Sequence, residues 1–179
     1  MKNIGLLVFF IAAAVIRAES VPLGTHGSLQ IAVPEGWQLT SKNVGEIGCN
    51  LSLTPKGGAN AECLISIMFP PAPKPIDKAK IENDLTAACG RFVSGSVEQK
   101  INLKDLGLSE GYGLCATLTD ASLVGKPPMP KNYKVMTIGL IQFSEDIMAV
   151  VSVLTDDEHG TEQKQLLSMV SGLKVERAK

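Results

Sequence analysis

The fold is decided by residues 133–155, which read YKVMTIGLIQF, SED, IMAVVSVLT. We interpret this stretch as two strands, Tyr133–Phe143 and Ile147–Thr155, joined by the polar turn Ser144-Glu145-Asp146. Both strands are apolar in both alternation phases, and such a strand lies in the middle of a sheet that is covered on both faces. The hairpin therefore predicts the centre of a layered core, and its charged turn makes a membrane span across it too costly.

The N-terminus has the form of a secretory signal. Lys2 supplies a positive start, Ile4–Ile16 is an apolar run, and Ala18 is a small residue suited to cleavage. At about 13 residues, the run falls short of the ~20 that span a bilayer, although an uncleaved anchor stays open as the alternative. We expect residues 1–18 to be a signal peptide and residues 19–179 to form a single domain that is periplasmic or secreted.

The net charge of the chain bears on the classes of partner that it can bind. Cleavage after Ala18 would remove Lys2 and Arg17 and leave 15 basic against 18 acidic residues, a net charge of −3. A weakly acidic chain without a basic cluster is a poor match for nucleic acid, whose phosphates require Lys and Arg. We expect no nucleic-acid partner, and no stable membrane span once the signal is removed.

All four cysteines lie beyond the predicted signal: Cys49, Cys63, Cys89 and Cys115. An even number in an exported chain suggests two disulfides, with one disulfide or buried free thiols as alternatives. Cys49 and Cys63 fall in the apolar phase of two hairpin strands, so we expect them to face each other and pair. Cys89 and Cys115 would then form the second bridge. A zinc site competes, but the chain has no Cys-x-x-Cys and only two histidines.

Alternation and helical spacing predict the other elements. The predicted strands are Ser28–Val33, Val44–Leu53, Glu62–Phe69, Ser96–Leu103 and Tyr112–Leu118. One helix opens at Asp77 with the apolar stripe Ile81, Leu85, Ala88 and Phe92, and a second covers Gln163–Ser171. Short turns between consecutive strands favour antiparallel pairing. We expect an α+β fold, a three-layer αβα sandwich with a mainly antiparallel central sheet.

Three further segments are interpreted more simply. Glu19–Gly27 is expected to be an extended, loosely held leader, and Val175–Lys179 a short tail. Pro34-Glu35-Gly36 predicts a turn, because proline cannot continue a central ladder. Trp37 is interpreted as a large core side chain under this turn, in preference to a platform on which a ligand stacks.

A family resemblance is carried by the order of these elements. A strand ends in Val33-Pro34-Glu35-Gly36-Trp37, and a hairpin, a long helix and an antiparallel run with a proline-rich loop follow. A final helix closes near Ser171-Gly172-Leu173-Lys174. This order resembles the PsbP/Mog/DcrB-like superfamily. The resemblance implies an αβα sandwich without catalytic machinery, in a group whose shared theme is binding to different partners. It carries over no binding residue and no cysteine pattern.

Catalytic and metal-binding motifs are not evident in the sequence. His26 and His159 have no supporting motif for a nucleophile–base pair, and both are interpreted as surface residues. Lys56-Gly57-Gly58 is a hairpin turn without the helix that a phosphate-binding loop needs. Residues 156–159 are acidic enough for a hard cation, but a solvated helix start explains them better. We expect no enzyme activity, no cofactor and no metal.

The least regular segment, Thr119–Asn132, is the candidate binding surface. Long loops are often functional, and a loop stiffened by proline loses less entropy on binding, although it could simply link two strands. The candidate residues are Lys126, Pro127, Pro128, Met129, Pro130, Lys131 and Tyr133, with Pro70–Pro75 as an extension. We expect a non-catalytic exported accessory protein of the cell envelope that acts through a protein partner. The alternatives are a small-ligand or metal carrier with a sheet–helix cleft, and an unrecognised hydrolase with His26 or His159 beside a Ser or Cys.

Overall fold

The computed structural model describes residues 17–178, so the apolar part of the predicted signal lies outside the described residues. The fold is mixed and rich in strands. The strands are β1 (Arg17–Pro22), β2 (Ser28–Val33), β3 (Trp37–Asn43), β4 (Gly48–Pro55), β5 (Glu62–Met68), β6 (Lys104–Asp105), β7 (Tyr112–Thr119), β8 (Val135–Ser144), β9 (Ile147–Thr155) and β10 (Lys174–Glu176). The helices are α1 (Lys78–Val93) and α2 (Thr161–Ser171). No helix within residues 17–178 is long and apolar enough to cross a membrane.

The strands form two antiparallel sheets. A small sheet has the order β1-β2-β10, and a large sheet has the order β3-β4-β5-β9-β8-β7-β6. The predicted hairpin β8–β9 lies in the middle of the large sheet, as its two-sided apolarity indicated. Its turn is shorter than predicted, because Ser144 pairs with Ile147 after a register shift that follows Gln142.

Two hydrophobic clusters lie against alternate residues of β8. Ile138 and Leu140 pack with the buried stripe of α1, whereas Ile141 and Phe143 pack with residues of α2 and the small sheet. Successive side chains of a strand point to opposite faces, so the central strand is apolar throughout because both faces are covered.

The helix α1 begins as the sequence predicted. The side chain of Asp77 accepts a hydrogen bond from the backbone nitrogen of Lys80 at 3.0 Å and caps the helix. Ile81 and Leu85 are buried, but Ala88 is exposed and Cys89 takes the next inward position. The spacing of four residues from Leu85 to Cys89 keeps the stripe on one face.

The predicted leader and the predicted tail are wrong. Residues 17–22 form β1 and residues 174–176 form β10, and both pair with β2. Val21 and Leu23 are buried in the main cluster. β10 pairs with a strand that is far away in the sequence, and β1 is separated from β2 by an irregular turn. Both strands are also short, so their alternation of apolar and polar residues is a weak predictor of strand structure.

Three other strand predictions need correction. β3 was missed, and it begins at Trp37, which is buried as predicted and donates from Nε1 to Oε1 of Gln165 at 3.0 Å. The strand expected to start at Val44 starts at Gly48, after a 3-10 turn in which Ile47 is 68% exposed. Ser96–Leu103 is not a strand: Ser96 makes a single isolated bridge with Asp120.

The predicted disulfides are not formed. Cys49 pairs with Ile67, and Cys63 pairs with Leu53, so the two cysteines share a face but stand four residues apart along the hairpin. Four residues of strand correspond to roughly 13 Å, which is beyond the reach of a disulfide. Cys89 and Cys115 belong to different hydrophobic clusters, and all four cysteines are buried free thiols.

Candidate binding surface at the proline loop

The proline loop, residues 125–132, connects β7 to β8 after a 3-10 turn. The structure brings the predicted site residues into one patch, with residues 126–131 all exposed and Tyr133 partly buried at the base. The Met129 side chain is 51% exposed and Val124, just before the loop, is 56% exposed. The loop thus presents apolar side chains and two lysines to solvent.

Asn60 holds the proline loop in place. Its Oδ1 accepts a hydrogen bond from the backbone nitrogen of Lys131 at 2.9 Å, and its Nδ2 donates to the carbonyl oxygen of Asn132 at 3.3 Å. The same Nδ2 donates to Oδ2 of Asp156 at 3.0 Å. No local pattern in the sequence points to Asn60 or to its partners on the distant loop.

A tight turn closes the C-terminal end of the loop, next to Tyr133. The backbone nitrogen of Asn132 donates to the carbonyl oxygen of Met129 at 3.0 Å, and Lys131 has a φ of 61°. Proline at the first central position and a positive φ at the second define a type II turn, which normally has Gly or Asn at the second position. Lys131 therefore holds a conformation that costs roughly 1 kcal/mol.

Tyr133 anchors the base of the loop. Its hydroxyl donates to Oε2 of Glu62 at 3.2 Å, while Oε1 of Glu62 accepts from the hydroxyl of Ser52 at 3.1 Å. Burial raises the pKa of Tyr133, and the negative charge and hydrogen bond of Glu62 raise it further. The phenol therefore remains a donor at neutral pH and fixes the point where the loop enters β8.

Two clefts meet at Tyr133. One, of about 510 Å³, lies between the proline loop and the turn from β4 to β5. The other, of about 390 Å³, lies between the end of α1 and the start of β8. Only the first of these clefts is lined by the proline loop itself, through residues 128–131.

The segment Pro70–Pro75 does not extend this surface. The backbone nitrogen of Lys74 donates to the carbonyl oxygen of Glu145 at 2.8 Å, and Nε2 of Gln142 donates to the carbonyl oxygen of Lys74 at 2.8 Å. Both partners lie at the turn end of the hairpin β8–β9, whereas the proline loop lies at its open end.

A second polar cluster was missed by the sequence interpretation. Asp146 accepts hydrogen bonds from Nδ1 of His26 at 3.0 Å, from Arg177 at 2.8 and 2.9 Å, and from the hydroxyl of Ser144 at 2.9 Å. The Arg177 guanidinium, with further hydrogen bonds from His26 and Ser144, holds the pKa of Asp146 well below its usual range. The imidazole also stacks on Phe69 with 4.1 Å between ring centroids, so His26 is not a simple surface residue.

The positions of the two histidines and of possible metal ligands bear on the hydrolase and metal-carrier alternatives. Within residues 17–178, neither His26 nor His159 makes a side-chain hydrogen bond to a Ser or Cys. In the same range, no group of three or more His, Cys, Asp and Glu side chains is placed to hold a metal ion.

The proline loop and the Asp146 cluster thus lie near opposite ends of the hairpin β8–β9. No protein-family model matches the chain, and no curated protein matches it.

Proposed function

We propose that the protein is a non-catalytic, exported accessory protein of the cell envelope that binds a protein partner through the proline loop. The observation that carries this proposal is a loop whose backbone is fixed while its outer side chains stay exposed. Asn60 and the Pro130–Lys131 turn fix the backbone, and Met129 projects with half of its surface in solvent. A loop that is ordered before binding loses less entropy on association.

The proposed architecture is the three-layer αβα sandwich of the PsbP/Mog/DcrB-like superfamily. It is supported by α1 packing against β7 and β8, and by α2 packing against β9 and β2. The two clusters on alternate residues of β8 also support it. Export is supported by the signal-like residues 1–18 of the sequence.

The test replaces residue 129 with a photo-crosslinking amino acid in the full chain and irradiates the native envelope. Ile47 is the matched control position, because it is 68% exposed and lies beside Phe69, near the turn end of the hairpin β8–β9 and away from the loop. We expect a discrete crosslinked protein from position 129 and none from position 47, and we expect Met129→Ser to reduce recovery of the same protein.

Deletion of Gly125–Lys131 provides the decisive second arm. The circular dichroism spectrum of the purified variant shows whether the fold is retained. If the variant folds and every protein that co-purifies with the wild-type chain still does so, the proline loop is not the binding surface.

A further inference from the structure

A cleft of about 400 Å³ lies between α1 and the turn end of the hairpin β8–β9. Its floor is formed by two paired residues of neighbouring strands, Gln142 of β8 and Met148 of β9, and Met68 of β5 pairs with Met148 beside the cleft. Its wall is the first part of α1, where Ile81 lines the cleft. The cleft is far from the proline loop, since Gln142 and Tyr133 are near opposite ends of β8.

The segment Pro70–Pro75 lines a third side of the cleft. Proline has no backbone donor and a fixed φ, so this segment is stiff. It is attached at Lys74, whose nitrogen and carbonyl oxygen bond to Glu145 and Gln142 respectively, both at 2.8 Å. The cleft is therefore bounded by three different pieces of the fold, and at least two hydrogen bonds hold the proline segment to the hairpin.

The lining combines four apolar residues and one amide with five charged residues, which form the rim. Pro70, Pro75, Ile81 and Met148 supply apolar surface. Gln142 is only 5% exposed, and its Nε2 is used by Lys74, while its Oε1 makes no hydrogen bond to another residue in the range 17–178. A pocket of this size that combines apolar surface with a few polar groups is typical of a small-molecule site.

The charged rim of the cleft is largely compensated. Nζ of Lys80 lies 2.6 Å from Oδ2 of Asp84, and Asp77 is engaged in capping α1. Lys74 and Glu145 are oppositely charged neighbours at the other edge. The rim thus holds two lysines and three carboxylates, a difference of one charge, so it gives little preference for a charged ligand over a neutral one.

We propose that this cleft binds a small neutral amphiphile, whose apolar body packs on Ile81, Met148 and the prolines. An N–H or O–H group of the ligand donates to Oε1 of Gln142. This site is independent of the proline loop. It gives the segment Pro70–Pro75, which is not part of the proposed partner surface, a role in binding the ligand.

The test uses the methyl groups of the methionines as reporters. Within residues 17–178 the five methionines lie at different places. Met148 lines this cleft, and Met68 pairs with it on the next strand. Met129 is in the proline loop, Met136 lines the cleft near the other end of β8, and Met169 is on α2. The full chain carries [methyl-¹³C]methionine, and octanamide is titrated in. We expect saturable shifts of Met148 and Met68, with the other three signals unchanged.

A matched ligand isolates the hydrogen bond. N,N-dimethyloctanamide keeps the apolar chain and the carbonyl group but has no N–H, so we expect it to bind about tenfold more weakly. In Gln142→Leu the two ligands should bind equally, and unchanged signals from Met136 and Met169 show that the variant is folded. The proposal is overturned if Met148 shows no saturable shift, if all methionines respond alike, or if both ligands bind the wild-type chain equally.

Discussion

Asp146 lies in the turn of the central hairpin, and its carboxylate accepts hydrogen bonds from His26, Ser144 and Arg177. His26 comes just before β2, and Arg177 comes just after β10. The Asp146 side chain therefore connects the large sheet to the small sheet next to two strands of the small sheet. A carboxylate can only accept, so Nδ1 of His26 carries the proton in this pair. The Asp146 side chain is 23% exposed, and its bonds are partly shielded from competing water.

Asp146→Asn should destabilise the protein by about 1 kcal/mol at pH 7, because Arg177 is more than half exposed and water weakens the pair. The pKa of Asp146 is lowered on folding, so its stabilisation is present above the ordinary value of 3.8 and lost as the pH falls further. Urea unfolding of both proteins between pH 7 and pH 2 measures this. A difference that persists unchanged at pH 2 would contradict the assignment.

The helix α2 is attached to the large sheet by a buried chain of hydrogen bonds. Nε2 of Gln163 donates to the hydroxyl of Thr137 at 2.7 Å, and Oε1 of Gln163 accepts from the hydroxyl of Thr155 at 3.0 Å. The hydroxyl of Thr137 also lies 2.8 Å from that of Thr117. A buried amide that lost its hydrogen-bond partners would cost free energy. These hydrogen bonds therefore fix the position of α2 along β8 and β9.

Gln163→Leu should lower the free energy of unfolding by about 1–3 kcal/mol, since it leaves the Thr155 hydroxyl buried without its acceptor. Lys164→Leu, on the exposed side of the same helix, is the control and should change stability by less than about 0.5 kcal/mol. Adding Thr155→Val to Gln163→Leu should recover part of the loss, because both partners are then apolar. Denaturant midpoints give all three values, and equal effects at positions 163 and 164 would argue against the network.

At the scale of the whole molecule, the two hydrophobic clusters enclose all four thiols. Burial raises the pKa of Cys63 to about 12, with a smaller effect from the Glu62 charge, and burial also raises the pKa of Cys49, Cys89 and Cys115. Alkylation requires the thiolate, so these groups are protected both by their position and by their protonation.

We therefore expect native protein to resist iodoacetamide at pH 7.5 and to take up four labels after unfolding without reductant. Intact-mass spectrometry counts the labels in each state. The matched control is unfolding with reductant, which should give the same count. A lower count without reductant would reveal a disulfide and would contradict the free thiols.

The sequence predicted those features that depend on neighbours in the chain. The central hairpin, the Asp77 cap and the buried Trp37 follow from local periodicity and turn chemistry, and the proline loop follows from composition. The register of Cys49 and Cys63, the pairing of β1 and β10, and the Asp146 cluster depend on residues far apart; His26 and Asp146 are 120 positions apart. Because alternation has a period of two, it fixes the face of a strand but not its partner residue.

The small sheet has a consequence for the timing of biogenesis. β2 is flanked by one strand that precedes it and by β10, which follows every other strand in chain order. A ribosome or a translocation channel delivers β2 long before it delivers β10, so this sheet stays open until the end of synthesis or transport. The small sheet therefore cannot be completed until the last strand of the chain has emerged.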